Sequence, residues 1–230
     1  MPSPYELVLG HRLADLHPRL AAYFGEIPPG SVGRGSGTFD RVGTPRRWLW
    51  PALAVLARAG VAFPAWEHDV PFTVENRPVV DSRGSTAVSA RRTFLFGRGE
   101  RTMIDAITAE PASDGTGGSG GSGGAALHLV DHLGTARRVT TRLRASVIGG
   151  ELHLHGDRVG LRIGPWHVEI LRPLSPTVEL VERFDDEAGR QHVSVELRLP
   201  VLGRIYEYSG HFDYAVRAAD ASTDRPGGTP

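Results

Sequence analysis

Apolar and polar residues alternate along most of the chain after residue 60, as expected for β-strands that bury one face. The segment 204–214 shows this most clearly, because its aromatic residues share one face: Tyr206, Tyr208, Phe212 and Tyr214. Short turns separate the alternating segments, such as Gly149-Gly150, a dipeptide suited to a two-residue hairpin. The pattern predicts about ten strands connected mainly by hairpins.

The first 60 residues have a helical pattern instead. Residues Ser3–Glu6 form a capping sequence that opens a short helix, and Gly10 ends it. A second helix is predicted over 18–25. A third, rich in tryptophan and leucine, is predicted over 44–60, and Pro51 either kinks it or marks its true start. We expect this third helix to pack against the sheet, with a lid or interfacial helix as the alternative.

The predicted fold is α+β and β-dominated, with short N-terminal helices followed by an antiparallel meander. So many consecutive strands must curl or close to protect their edges. We therefore expect a half-open or closed lipocalin-like barrel, which can hold one small apolar ligand. A helix-grip fold is the alternative, but it normally ends in a long helix, and none follows Tyr214. One domain is expected over residues 1–216, with a disordered tail at 217–230.

Two glycine-rich stretches resemble functional loops without their required context. Gly33, Gly35 and Gly37 have the spacing of a phosphate-binding loop, but a strand-like pattern follows them rather than a helix. The tract 115–124 contains Gly-x-Ser-x-Gly at 117–121, the pattern of a nucleophile elbow, within a polymer-like Gly/Ser sequence. We interpret the first as the entry to a strand and the second as a flexible loop.

Composition excludes several classes of chemistry. The chain of 230 residues has no cysteine, which excludes disulfides, thiolate metal sites and cysteine nucleophiles. All 26 basic residues are arginine, so lysine Schiff bases are excluded as well. The net charge is zero, so the composition does not indicate a basic surface for binding nucleic acid. No apolar run approaches the length of a membrane span, and the N-terminus lacks a signal peptide, so a cytoplasmic protein is expected.

Two carboxylates fall on strand faces that otherwise look buried. Asp131 shares a face with Leu129, and Glu182 shares one with Leu180. A buried carboxylate is paired with a cation or has a raised pKa. Arg92 is the expected partner of Asp131, either as a structural ion pair or as an acid–base and anion-anchoring pair in a cavity. Asp131, Glu182 and Arg92 are therefore the predicted catalytic residues.

A second group of residues is predicted to contact a ligand. Tyr206 and Tyr208 combine an apolar ring with a polar tip, although core packing is the alternative for each. The full predicted set of ligand contacts is Tyr206, Tyr208, Phe94, Phe96, Trp166 and His132.

Histidines offer an alternative, metal-dependent interpretation. His153 and His155 share a strand face, His167 lies one hairpin further on, and three histidines could bind zinc or iron. Because leucines take the opposite face, a solvent-facing position is favoured, and we predict neither a metal nor a cofactor.

Several short motifs resemble a bacterial family of domains of unknown function, number 4166. They are His-Asp-Val-Pro at 68–71, Arg-Arg-Thr-Phe at 91–94, Val-Asp-His-Leu-Gly at 130–134 and the segment 199–210. The resemblance extends over roughly residues 7–214. It implies a domain found alone or fused to a saccharopine-dehydrogenase-like NAD(P)-binding domain. It implies no chemistry. Where the family commonly has an acidic–basic pair before Phe-Gly, this chain has Asp131-His132 before Leu133-Gly134.

Two functions fit these patterns. The first is a barrel that binds a hydrophobic small molecule, as a cofactor-independent isomerase or cyclase using general acid–base catalysis. Asp131 or Glu182 would move the proton, while Arg92 and Tyr208 would stabilise negative charge. The alternative is a non-catalytic binding domain that carries an apolar metabolite or partners an NAD(P)-dependent redox protein.

Overall fold

The computed structural model describes residues 1–80, 84–112, 126–163, 166–170 and 175–219, with only the backbone at 163 and 167. Its three α-helices are α1 (Pro4–Leu9), α2 (Pro18–Phe24) and α3 (Trp50–Arg58), and short 3-10 turns span Gly10–Asp15 and Arg47–Leu49. The tract 115–124 and the tail from 220 lie outside the described residues, so both predictions about them stay predictions.

Eleven strands make up the rest of the described chain. They are β1 (Ser31–Gly43), β2 (Trp66–Val80), β3 (Thr86–Phe96), β4 (Gly99–Pro111), β5 (Leu127–Leu133), β6 (Val139–Ile148), β7 (Glu151–Ile163), β8 (Trp166–Glu169), β9 (Thr177–Asp185), β10 (Arg190–Leu199) and β11 (Gly203–Ala218).

Ten of these strands form a closed antiparallel barrel. The sheet order is β6-β5-β4-β3-β2-β1-β11-β10-β9-β7-β8, and an additional pairing of β6 with β7 closes the ring. Strand β8 lies outside the ring, where it pairs with the end of β7. The prediction of a β-dominated α+β fold curled into a barrel is therefore confirmed. Closure removes the exposed edges that a ten-stranded open sheet would have.

Local sequence signals account for the helix starts. Ser3 Oγ accepts a hydrogen bond from the backbone N–H of Glu6 at 3.1 Å, and the Glu6 carboxylate accepts one from the N–H of Ser3 at 2.6 Å. This is the predicted capping box. Pro51 lies in the first turn of α3, so it marks the start of that helix rather than a kink. None of the described helices is long and apolar enough to cross a membrane.

The helices lie at opposite ends of the barrel. The α1–α2 segment is at the end where β1 starts, and the N–H of His17 donates to the Gly150 carbonyl in the β6–β7 turn at 2.9 Å. Helix α3 connects the end of β1 to the start of β2, so it lies at the other end. There the N–H of Thr135 donates to the Ala59 carbonyl at 3.0 Å.

Two hydrophobic clusters follow from this arrangement. Side chains of the N-terminal helices pack with Leu129, Leu143 and Leu152 at one end of the lumen. At the other end, Leu53 of α3 joins an aromatic cluster that includes Phe39. The predicted packing of the third helix is confirmed, and the space between the two clusters is the interior of the barrel.

Candidate functional site

A cavity of about 280 Å³ lies inside the barrel, with walls from both the strands and the helices. Tyr5 and Tyr23 reach it from the N-terminal helices, and Leu53 and Leu56 reach it from α3. Most of the lining is apolar. The polar lining residues on the strands come from seven different strands and are Asn76, Arg92, Asp105, Asp131, Thr141, Glu182, Tyr206 and Tyr208.

Strand alternation brings these polar residues into the lumen. Asp131 lies two residues from buried Leu129, and Glu182 is paired in register with buried Leu152 and Val193. In a closed barrel, every residue in phase with the core on its own strand points to the same interior. The catalytic candidates Asp131, Glu182 and Arg92 therefore face one space, together with Tyr206 and Tyr208.

Arg92 forms its ion pair with Asp105, not with Asp131. Arg92 Nη1 donates to Asp105 Oδ1, and Asp105 is 4% exposed. The pairing of β3 with β4 sets Arg92 opposite Met103, so Asp105 is its diagonal neighbour on the same face, whereas Asp131 is one strand further away. The predicted Arg92–Asp131 pair is therefore wrong. Burial raises the pKa of Asp105 above its usual range, and Arg92 opposes that rise.

Asp131 is the least well satisfied of the three carboxyls that line the cavity. Its Oδ1 atom is buried without a hydrogen-bond partner. Burial raises the pKa of this carboxyl well above its ordinary value, and the nearby Asp105 carboxylate raises it further. Arg92 acts in the opposite direction. The result favours a protonated Asp131 beside an ion pair that is already complete.

Glu182 occupies a related but better satisfied position. The carboxylate is 4% exposed and accepts a hydrogen bond from the side-chain amide of Gln191 on the neighbouring strand β10. Burial raises the pKa of Glu182 to about 7, although the Gln191 bond and Arg92 lower it. At neutral pH this carboxyl therefore exists in both protonation states.

The lumenal tyrosines are neutral hydrogen-bonding groups. Burial raises the pKa of Tyr208 to about 12 and raises that of Tyr206 as well. The Tyr206 hydroxyl accepts a bond from the Phe63 N–H at 3.4 Å. At the other end of the lumen, Asn76 Nδ2 donates to the Tyr214 hydroxyl at 3.4 Å, and Asn76 Oδ1 is buried without a partner.

The other predicted ligand contacts lie away from the cavity. Phe94 and Phe96 are buried in the aromatic cluster, where their rings stack at 5.8 Å between centroids, and neither lines the cavity. Trp166 is 73% exposed on β8, which lies outside the ring of strands. His132 is on the outer face of β5, with its Nε2 3.0 Å from Thr108 Oγ1. Phe94 and Phe96 are on the interior face of β3, like Arg92, but belong to the aromatic cluster and not to the cavity lining. His132 alternates with the lumenal Asp131 and therefore faces outward.

Two of the three histidines of the predicted metal group lie on the outside of the barrel. His153 and His155 alternate with the buried Leu152 and Leu154, so they face outward, as favoured. His153 Nε2 lies 3.2 Å from a Glu151 carboxylate oxygen. The side chain of His167 lies outside the described residues.

Sequence reasoning missed several cavity residues. Asp105 had the same signal as Asp131, because it lies two residues from both Met103 and Ile107 on a buried face. Tyr5 and Tyr23 had no such signal. They lie on helices, and only the docking of those helices onto the barrel end directs them to the lumen.

Comparison with known proteins gives a family but no activity. A family model described as "Domain of unknown function (DUF4166)" matches residues 16–212, which include the charged groups of the cavity. The chain is similar to the uncharacterized protein YndH of Bacillus subtilis (strain 168), with 24% identity over 223 residues that cover 94% of this chain and 99% of that protein. No solved structure matches the chain.

Proposed function

The chain belongs to the DUF4166 family of domains of unknown function, and from this starting point we propose that its barrel binds one small, mainly apolar molecule and moves a proton on it by general acid–base catalysis. The resemblance drawn from the sequence agrees with the family match, but the implied fusion to an NAD(P)-binding domain stays untested.

The cavity supports binding of a compact ligand. Its volume of about 280 Å³ is just below the range for drug-sized ligands, about 300–1,000 Å³, so it suits a smaller molecule. Val88, Leu154 and Leu180 contribute apolar wall, and the charged groups project into the cavity from β3, β4, β5 and β9. This combination suits a mainly apolar ligand with a polar group that these side chains can reach.

The observation that carries the proposal is the unpartnered oxygen of Asp131. A buried polar atom left without a hydrogen bond costs about 1–3 kcal/mol, and the barrel would be stabilised by an apolar residue there. Strongly raised carboxyl pKa values in a cavity are typical of functional sites. A ligand that brings an O–H or N–H donor would satisfy Asp131 Oδ1.

The lumen contains the groups that a proton transfer requires. Glu182, with a pKa of about 7, can accept or donate a proton at neutral pH. Asp131 is the second group that can exchange one. The Arg92 guanidinium, oriented by Asp105, and the Tyr208 hydroxyl can stabilise negative charge that develops on the ligand. A proton removed at one atom and returned at another needs no oxidant, so isomerisation or cyclisation is the proposed reaction class.

Binding is tested with N-phenyl-1-naphthylamine, a neutral apolar fluorophore whose emission rises in apolar surroundings. We expect the wild-type protein to bind it, and Ala90→Leu, which fills the cavity, to weaken binding at least about tenfold, or 1.4 kcal/mol. Thr93→Leu is the matched control because Thr93 is on the outer face of the same strand. Equal affinity of the two variants would contradict binding in the lumen.

Catalysis is tested on the molecule that co-purifies with the protein, identified by native mass spectrometry. In D₂O the wild-type protein should exchange deuterium into a carbon-bound position of this molecule. Asp131→Asn and Glu182→Gln should bind it and lose the exchange. Unchanged exchange in both variants would exclude these carboxyls as the acid and base and leave a binding protein.

Two predictions from the sequence are not used in this proposal. A cytoplasmic location and an NAD(P)-dependent redox partner stay predictions, because no described contact bears on either.

A further inference from the structure

A second cluster of chemically competent side chains lies on the outside of the barrel, opposite in phase to the cavity. It consists of Asp40 on β1, His192 on β10 and His211 on β11, which are three neighbouring strands. One ligand atom from each residue lies within 4.8 Å of the other two. Within the described part of the chain, this is the only group of three or more histidine, cysteine or acidic side chains with such geometry.

A β-bulge brings Asp40 to this face. Phe39 pairs with Gly210 and Arg41 pairs with Ser209, so Asp40 is an additional residue in β1. Phe39 and Val42 are both buried although they are three residues apart, and Asp40 and Arg41 therefore both point outward. Without the bulge, strict alternation would direct one of these charged residues into the aromatic cluster. Bulges commonly re-aim a side chain in this way next to functional sites.

The two histidines are held in place by the strand register. His192 and His211 are directly paired between β10 and β11, and their ring centroids are 4.7 Å apart. Both side chains are half-buried. His211 Nε2 lies 3.3 Å from Asp185 Oδ2, and a carboxylate that contacts one ring nitrogen of a histidine is the usual orienting group for a metal-binding imidazole.

We propose that Asp40, His192 and His211 bind one divalent transition-metal ion, for which zinc is the best chemical fit. Two imidazoles and one carboxylate are the ligand set of many three-residue zinc sites in which a water completes the tetrahedron. Ligand atoms about 2.0–2.2 Å from zinc lie closer together than 4.8 Å, so small rotations of the exposed Asp40 side chain complete the site. This proposal is independent of the lumenal one, because the barrel wall separates the two sites.

The surrounding charges are compatible with a cation. Arg183 of β9 is opposite His192, but its Nη1 lies 3.5 Å from Asp185 Oδ2. Arg190 donates two hydrogen bonds to Asp213 Oδ2, from Nη2 at 2.7 Å and from Nε at 3.1 Å. Both arginines therefore have carboxylate partners, which reduces their repulsion of a bound ion.

Isothermal titration with Zn²⁺ on untagged, metal-stripped protein tests the site. We expect one ion per chain and a rise in Tm on binding, since a ligand specific for the folded state stabilises it. His192→Ala and His211→Ala should each weaken binding at least about tenfold, as expected for loss of a ligand. His153→Ala is the control, because His153 is an outward histidine on β7 outside the cluster.

Cobalt gives a readout that separates a real site from loose surface binding. Because the chain has no cysteine, visible absorption of the Co²⁺-loaded protein arises without thiolate ligands and reports coordination by imidazole and carboxylate. We expect the tetrahedral spectrum in the wild type and in His153→Ala, and its loss in the folded double variant His192→Ala/His211→Ala. No zinc binding by the wild type, or equal binding by the double variant, would overturn the proposal.

Discussion

Three carboxyls and one guanidinium face the lumen, and one carboxylate oxygen among them has no hydrogen-bond partner. Asp105 has Arg92, Glu182 has Gln191, and Asp131 Oδ1 has no partner. Burial is the main cause that raises the pKa values of all three carboxyls, because a low-dielectric interior disfavours the charged form. Arg92 opposes the rise at each of them, and at Asp131 the nearby Asp105 carboxylate adds to it.

Glu182→Gln is expected to change the pH dependence of stability. The folded-state pKa of Glu182 is about 7 and its ordinary value is 4.5, so the stabilisation from its protonated form is complete below pH 4.5 and is lost as pH rises through 7. The glutamine of the variant cannot ionise, so the variant does not lose stability in this way as pH rises. Its free energy of unfolding relative to wild type should therefore rise by up to about 3 kcal/mol between these limits.

Urea unfolding at a series of pH values measures this difference. Glu179→Gln is the control, because Glu179 is an exposed residue of the same strand β9. The same pH dependence in both variants would show that Glu182 is not the group responsible.

Arg92→Met is expected to destabilise the protein by about 3 kcal/mol, because it leaves the buried Asp105 without its cation. Adding Asp105→Asn to the same protein should recover part of this loss, since the unpaired charge is removed as well. Arg91→Met, at the exposed neighbouring position, should change the free energy of unfolding by less than about 0.5 kcal/mol. Simple additivity of Arg92→Met and Asp105→Asn in a double-mutant cycle would contradict the ion pair.

At the scale of elements, the glycines of β1 explain how β1 and β11 pack closely against each other. Gly33, Gly35 and Gly37 all lie within β1, so their phosphate-loop spacing belongs to a strand, as interpreted. A Cβ atom on Gly33 would lie 1.5 Å from the Tyr214 hydroxyl, and one on Gly37 would lie 2.0 Å from the His211 carbonyl oxygen. Because these glycines have no side chains, there is room beside them for the aromatic residues of β11.

Gly37→Ala is expected to destabilise the barrel by about 3 kcal/mol, at the upper end of the usual cost of overpacking, because the contact is with backbone that cannot rotate away. The adjacent Ser36→Ala changes an exposed position on the same strand and should cost less than about 0.5 kcal/mol. Thermal or chemical unfolding of the two variants measures the difference. Similar stabilities would mean that β1 and β11 do not approach as closely as described.

At the scale of the whole molecule, access to the lumen depends on the helices at its two ends. Helix α1 packs against β3, β4, β5 and β6, and α2 packs against β9. Helix α3 is a single nine-residue helix in which Val55 is exposed, as is Trp48 just before it. Elements with few buried contacts open most readily. Helix α3 is therefore the expected route by which a ligand enters.

Single cysteines measure this opening without interference, because the chain has no other thiol. Leu53→Cys places a thiol at a position that is 8% exposed and lines the cavity, and Val55→Cys places one at a position that is 62% exposed. We expect a thiol reagent to modify the first at least about tenfold more slowly, which corresponds to an opening free energy above 1.4 kcal/mol.

Binding of N-phenyl-1-naphthylamine should slow the modification of Leu53→Cys further and leave Val55→Cys unchanged. If the ligand slowed neither, α3 would not be the entrance. Such a result would direct the search to the α1–α2 end of the barrel.

The sequence alone was sufficient for the fold class and for much of the lumen. Period-two alternation identified the strands and placed Asp131 and Glu182 among apolar neighbours, because side-chain phase along a strand is a local property. Turn and cap residues were equally informative. Both residues of Gly149-Gly150 have positive φ, as a tight hairpin requires, and the Ser3–Glu6 capping box formed as expected.

Only the tertiary structure decided which of these residues meet. The partner of Arg92, the outward position of His132, the exposure of Trp166 and the approach of Tyr5 to the cavity all depend on strand register, on ring closure and on helix docking. These are contacts between residues distant in sequence, and local periodicity carries no information about their distance. The bulge at Asp40 is the same case, since one additional residue moves a carboxylate to the histidines of two other strands.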